Sequence, residues 1–126
     1  MSVTWAGSVL AAAHTAVLGE IDGEGATAYI NIYDSGDTLL STLPLDYPSG
    51  AVNGTTGQLT MAFGARDEEA EAGGTASYAT LCDAADTVLA TVTCSAGSAP
   101  VANTCVLTSL SIVAGAPVEG VSFTIG

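Results

Sequence analysis

The chain has 126 residues, enough for one domain with a buried core, and almost half of them are hydrophobic, which excludes overall disorder. Thirteen acidic residues against a single arginine, Arg66, and no lysine give a net charge of −12. Such a surface repels polyanions, so the composition argues against nucleic acid and against an anionic membrane as partners. The acidity suits either plain solubility in a salty environment or a partner with a basic or polar docking face.

Trp5 to Ile21 is the one expected helix. Val9, Leu10, Ala13, Val17 and Ile21 recur at three- and four-residue steps, the spacing of one helical face, and Ala11, Ala12 and Ala16 favour helix intrinsically. The segment is too short to span a bilayer and lacks the preceding basic residues of a secretion signal. From Ala26 the period changes to two. Ala26–Tyr33 alternates Ala28, Ile30 and Ile32 with Tyr29, Asn31 and Tyr33, and after the turn "DSGD" the run Thr38–Leu43 returns as a hairpin. The stretch "LDYPSGAVNG" reads as a connection, and Gly57–Phe63 as a strand with Leu59, Met61 and Phe63 on one face. "GARDEEAEAGG" (Gly64–Gly74) reads as an exposed acidic loop that shields a sheet edge or meets a basic patch on a partner. A second hairpin, Thr75–Cys82 and Thr87–Cys94, follows, and strands Cys105–Ile112 and Val118–Ile125 close the chain. The expectation is an all-β fold: an antiparallel β-sandwich of about seven short strands with one N-terminal α-helix, forming a single domain over residues 1–126.

The two hairpins are one motif used twice. "AYINIYDSGDTLLSTLPL" (Ala28–Leu45) and "SYATLCDAADTVLATVTC" (Ser77–Cys94) align without a gap at an offset of 49, sharing Tyr29/Tyr78, Asp34/Asp83, Asp37/Asp86, Thr38/Thr87, Leu40/Leu89 and Thr42/Thr91. The repeated D-x-x-D-T fits a turn in which Asp accepts backbone hydrogen bonds and Thr and Leu begin the returning strand. The alternative is a calcium site built on Asp34 and Asp37 with Asp22 or Glu24, but an Asp-rich loop with its bend glycine and distal glutamate is missing.

Chemistry is sparse. His14 is the sole histidine and lies in an Ala-rich segment, where a packing or surface role is the simpler reading. No nucleophile elbow, phosphate loop, dinucleotide fingerprint or zinc motif is present. Asp67, Glu68, Glu69 and Glu71 are adjacent acids in a Gly-flanked loop, a poor setting for paired-carboxylate catalysis. Cys82, Cys94 and Cys105 lack metal-type spacing and read as buried thiols, with a Cys94–Cys105 bridge as the alternative. The sequence thus reads as a non-enzyme without a cofactor or metal.

The order of segments carries a resemblance. An Ala-rich helix, then "INIYDSGDTLLSTLPL", "GTASYATLCDAADTVLATVT" and finally "LTSLSIVAGAPVEGVSFTIG" resembles small virion proteins of tailed bacteriophages, over about Val9 to Ile125. That resemblance implies a structural protein of the capsid decoration (cement) type, made in the bacterial host cytoplasm and placed on the capsid exterior. Its implied partners are the major capsid protein and further copies of itself. The interface candidates are Trp5, Val9 and Leu10 on the helix and Val118, Val121 and Phe123 in the C-terminal hairpin; each group has the competing role of closing the protein's own core. The alternatives are a tail or head–tail connector component, or a fibre module binding host glycans through Tyr29, Tyr33, Tyr47, Tyr78 or Trp5.

Overall fold

The computed structural model describes residues 6–23, 27–64, 66–101 and 103–125. Among these residues, one helix, α1 (Gly7–Ile21), precedes nine strands: β1 (Tyr29–Tyr33), β2 (Leu39–Val52), β3 (Leu59–Phe63), β4 (Gly74–Thr75), β5 (Tyr78–Cys82), β6 (Val88–Ala96), β7 (Thr104–Leu107), β8 (Ser111–Ile112) and β9 (Gly120–Ile125). Seven strands close into a barrel in the order β1-β2-β3-β9-β7-β6-β5, and β4 and β8 form a separate two-stranded ribbon. The all-β character and the single helix follow the sequence expectation; the antiparallel sandwich does not. The sheet is closed, and its β6–β7 seam is parallel, with Cys94 opposite Cys105. Closure removes most of the open edges that two separate sheets would leave.

Two boundaries differ for identifiable reasons. The expected connection around Pro48 is strand: β2 turns the corner of the barrel, pairing with β1 through Leu39–Pro44 and with β3 through Leu45 and Gly50–Val52. A register break between Leu45 and Gly50 absorbs the proline, which lacks the amide a regular ladder needs. The expected strand Cys105–Ile112 is split. Its first part pairs with β9 inside the barrel, whereas Ser111 and Ile112 pair with Thr75 and Gly74.

The barrel interior is filled by alternate residues of the strands. Ile30, Ile32, Leu40, Leu43, Leu59, Leu81, Cys105, Leu107 and Phe123 are all essentially inaccessible. Hydrophobic burial of this kind contributes roughly 25 cal/mol per Å² of apolar surface, and it identifies Phe123 and Val118, 2% and 5% exposed, as core residues of the single chain.

Helix α1 packs on β2 and β3. The packed side carries Gly7, Leu10, Ala11, His14, Leu18 and Ile21, while Val9, Ala13 and Val17 face away. The expected face therefore has the wrong phase, although Leu10 and Ile21 lie on the packed side. Periodicity could not choose because the helix is apolar almost all round. Close approach chooses instead. Gly57 adopts φ +80, and an added Cβ there would lie 2.3 Å from the Leu10 Cβ; one at Gly7 would lie 1.8 Å from the Thr55 carbonyl oxygen. His14 fixes the same contact by donating from Nδ1 to the Gly57 carbonyl oxygen. At the other end, Asp22 accepts from the Ser49 amide at 3.1 Å and from its hydroxyl at 2.5 Å, tying the helix terminus to β2.

Candidate functional site: the duplicated hairpins and their edges

The repeat holds to the level of single hydrogen bonds. In the first copy, Asp34 Oδ1 accepts from the amides of Gly36 and Thr38, both at 2.9 Å. In the second, Asp83 Oδ1 accepts from Ala85 and Thr87, both at 3.0 Å. The second Asp of each motif, Asp37 or Asp86, has φ 65, a left-handed conformation that Asp tolerates better than most residues. Both hairpins carry their register break at the same place, Ile32/Tyr33 in one and Leu81/Cys82 in the other. The D-x-x-D-T motif is therefore turn chemistry. The carboxylates of Asp34, Asp37 and Asp83 already accept from protein donors, Asp22 serves the helix terminus, and Glu24 lies outside the described residues. Among the described residues no group of three or more His, Cys, Asp or Glu side chains could hold a metal ion.

The two copies are also arranged symmetrically. β1 and β5 pair antiparallel, with Asn31 opposite Thr80. Those two positions are equivalent in the repeat, so a local two-fold axis passes between them and relates hairpin β1–β2 to hairpin β5–β6. On the outer face of this pair, the rings of Tyr33 and Tyr78 stack with centroids 5.2 Å apart. The Tyr78 hydroxyl donates to Asp37 Oδ1 at 2.5 Å. That bond, reinforced by desolvation, pushes the phenol up to about 12. The raised value means the folded state prefers the protonated phenol. Its stabilisation is whole below pH 10, the unfolded value, and is lost as pH rises through about 12. An absorbance titration should show one tyrosine ionising near pH 12, absent from Tyr78→Phe and shifted downward in Asp37→Ala.

Symmetry breaks at the outer edges. The edge of β2 at Leu40–Thr42 is covered by the acidic segment following β3. The Glu71 amide donates to the Leu40 carbonyl at 2.9 Å, and Asp67 Oδ2 accepts from the Ser41 hydroxyl at 2.6 Å and the Thr42 amide at 3.4 Å. The segment is fastened on its far side by paired bonds between Asp67 and Val118 and by Ala70 to Ala116. Gly64–Gly74 was expected to be an exposed loop shielding a sheet edge. The shielding is present, but Asp67 and Ala70 are anchored while Glu68, Glu69 and Glu71 are exposed. Arg66 pairs with Glu68 at 3.0 Å on the surface, which keeps its guanidinium pKa above the ordinary value.

Among the described residues, no segment hydrogen-bonds to the corresponding edge of β6. Leu40 is fully buried, yet its repeat partner Leu89 is 37% exposed and Val88 57%. β7 begins only beside Thr93, so Val88–Val92 pairs with β5 alone. A cavity of about 180 Å³ opens there, lined by Ala90, Thr91, Val92, Asn103, Phe123 and Ile125.

Of the interface candidates, Trp5 lies outside the described residues. Val9 is 47% exposed, Leu10 is half-buried against Gly57, Val121 is half-buried, and Val118 and Phe123 are inside. The glycan-type candidates separate in the same manner: Tyr33 and Tyr78 come together, while Trp5 and the Tyr47 side chain lie outside the description. The exposed β6 edge is the feature that sequence reasoning missed. Its signal was the pairing of Leu40 with Leu89 in the repeat, because the acidic segment follows only the first copy.

All three thiols are buried and free. Cys105 is held well above the ordinary thiol range by its hydrogen bond to Cys94 and by burial. No described helix is long and apolar enough to cross a membrane. Comparison with known protein families, with curated proteins and with solved structures gave no match.

Proposed function

We propose that this chain is a non-enzymatic virion structural protein that decorates the outside of a tailed-phage capsid and stabilises it by bridging capsid subunits. The major capsid protein is its partner, and copies of the chain associate with one another on the shell. The observation that carries the reading is the outward face of α1. Val9, Ala13 and Val17 project from a chain of net charge −12, and His14 and Glu20 are the only titratable side chains from Gly7 to Ile21. A surface helix that is apolar on both sides is ordinarily covered in an assembly. The acidity suits a shell exterior better than an interior packed with DNA, and the segment order of phage virion proteins supports the same reading.

The interface narrows accordingly to Val9 on the helix, with Val121 as the accessible residue of the C-terminal segment; Val118 and Phe123 serve the core. The test is co-sedimentation of the purified protein with capsid shells that lack it. Wild type should pellet with the shells, and Val9→Asp should weaken binding about ten-fold or more by placing a charge in the contact. Equal binding by the variant would remove the helix from the interface.

A fibre module that binds host glycans is the second reading, favoured by the Tyr33–Tyr78 stack beside Asp37. Under it, Tyr33→Ala abolishes sugar binding and leaves particle assembly intact.

A further inference from the structure

We infer that the uncovered edge of β6, Val88–Val92, is a self-association surface, and that its occupant is the same edge of a second copy of this chain, paired antiparallel about Ala90. The inference rests on the self-association part of the proposed function and not on the capsid.

The internal symmetry supplies the comparison that a single edge could not. Two hairpins of the same sequence pattern, turn geometry and register differ at their outer edges. The first has its edge hydrogen-bonded and its leucine buried beneath the chain's own acidic segment, while the second presents Val88 and Leu89 to solvent. Among the described residues, no backbone bond outside the strand ladders reaches Leu89–Val92. An exposed apolar strand edge normally carries a charge, a proline or a covering segment that prevents pairing; Val88–Val92 has no charge and no proline, and among the described residues it has no hydrogen-bonded covering segment.

Local charge permits a second copy as the occupant. Val88 to Thr93 contains no ionisable residue in a chain of net charge −12. Antiparallel pairing centred on Ala90 sets Val88 opposite Val92 of the second copy and Leu89 opposite Thr91, so no carboxylates face one another. The nearest acids on the strand's approach, Asp86 in each copy, would then be roughly 27 Å apart along the strands, well beyond a Debye length. The register also ends before Thr93, where β7 takes over the edge. The groove beside Phe123 and Ile125 leaves room for side chains of the incoming strand. The fold already contains this arrangement, since β1 and β5 are repeat-equivalent strands paired antiparallel across the local two-fold.

A five-residue edge buries less than the roughly 1,600 Å² of a standard stable interface, so the dimer is weak and dissociates on dilution. Sedimentation velocity across a concentration series tests it, with amide hydrogen exchange at the two ends of that series. The wild type should shift from monomer to dimer, with slower exchange at high concentration of the Thr91 amide, which points away from β5. Leu89→Asp, at an exposed position, should retain the wild-type circular dichroism and move the transition to at least about ten-fold higher concentration. Val9→Asp should leave the transition unchanged. A chain that stays monomeric throughout overturns the inference. So does a dimer indifferent to Leu89→Asp, or one lost in Val9→Asp, which would assign self-association to the helix. Capsid binding is read separately, so its failure would not be mistaken for failure here.

Discussion

Phe123→Ala should lower stability by about 3–5 kcal/mol and the melting temperature by roughly 15 °C. Phe123 is 2% exposed and sits opposite Cys105 in the β7–β9 ladder. Its ring is also part of the wall of the groove beside β6. Removing it loses the transfer free energy of the aromatic ring and leaves a void that the closed barrel cannot readily collapse. Denaturant unfolding with an unchanged slope is the appropriate measurement. A loss below about 1 kcal/mol would mean that Phe123 is not a core residue and would return it to the interface candidates.

The second large effect separates the two copies of the turn. Asp83→Ala should cost about 2–3 kcal/mol, and Asp34→Ala about 1 kcal/mol. Each aspartate accepts two amide hydrogen bonds of nearly the same length, but Asp83 is 8% exposed whereas Asp34 is only partly buried. When the acceptor is removed, the amides of Ala85 and Thr87 lose their partner in a drier setting than those of Gly36 and Thr38, and an unsatisfied amide costs most where water cannot replace the bond. Thermal melts of both variants with and without calcium check this. Equal losses would show that burial does not distinguish the turns, and a calcium-dependent rise in the wild type would revive the metal reading of D-x-x-D-T.

How much of this was legible depended on whether the signal was local. The two turns were readable because Asp34, Asp37, Asp83 and Asp86 act within five residues, and D-x-x-D-T states that chemistry directly. The strands Tyr29–Tyr33 and Leu59–Phe63 were readable from strict alternation. Barrel closure was not, since it depends on the parallel meeting of Cys94 with Cys105 and on β2 continuing past Pro48, both long-range events. Alternation assigned Val118, Val121 and Phe123 to strands without revealing which faced the interior. On α1 the uniformly apolar composition concealed the phase, which Gly7, Gly57 and His14 set through contacts some 40 to 50 residues apart in sequence.

The repeat also changes the meaning of the exposed edge. A solvent-facing Leu89 in an isolated hairpin would be unremarked, as scattered surface leucines are common. Beside Leu40, its buried equivalent, it marks a position where the same structural unit has lost its cover. The apolar outer face of α1 and the open edge of β6 then provide two separate contacts, one proposed for the shell and one for a neighbouring copy. A protein of this design would associate weakly in solution and firmly on a lattice that supplies many copies at once.

The most direct measurement is electron cryomicroscopy of capsid shells that lack this protein, after incubation with it. The account predicts regular additional density on the outer surface at local symmetry axes, with the outward face of α1 against the shell. Density confined to a tail or portal vertex, or shells indistinguishable from untreated ones, would contradict it.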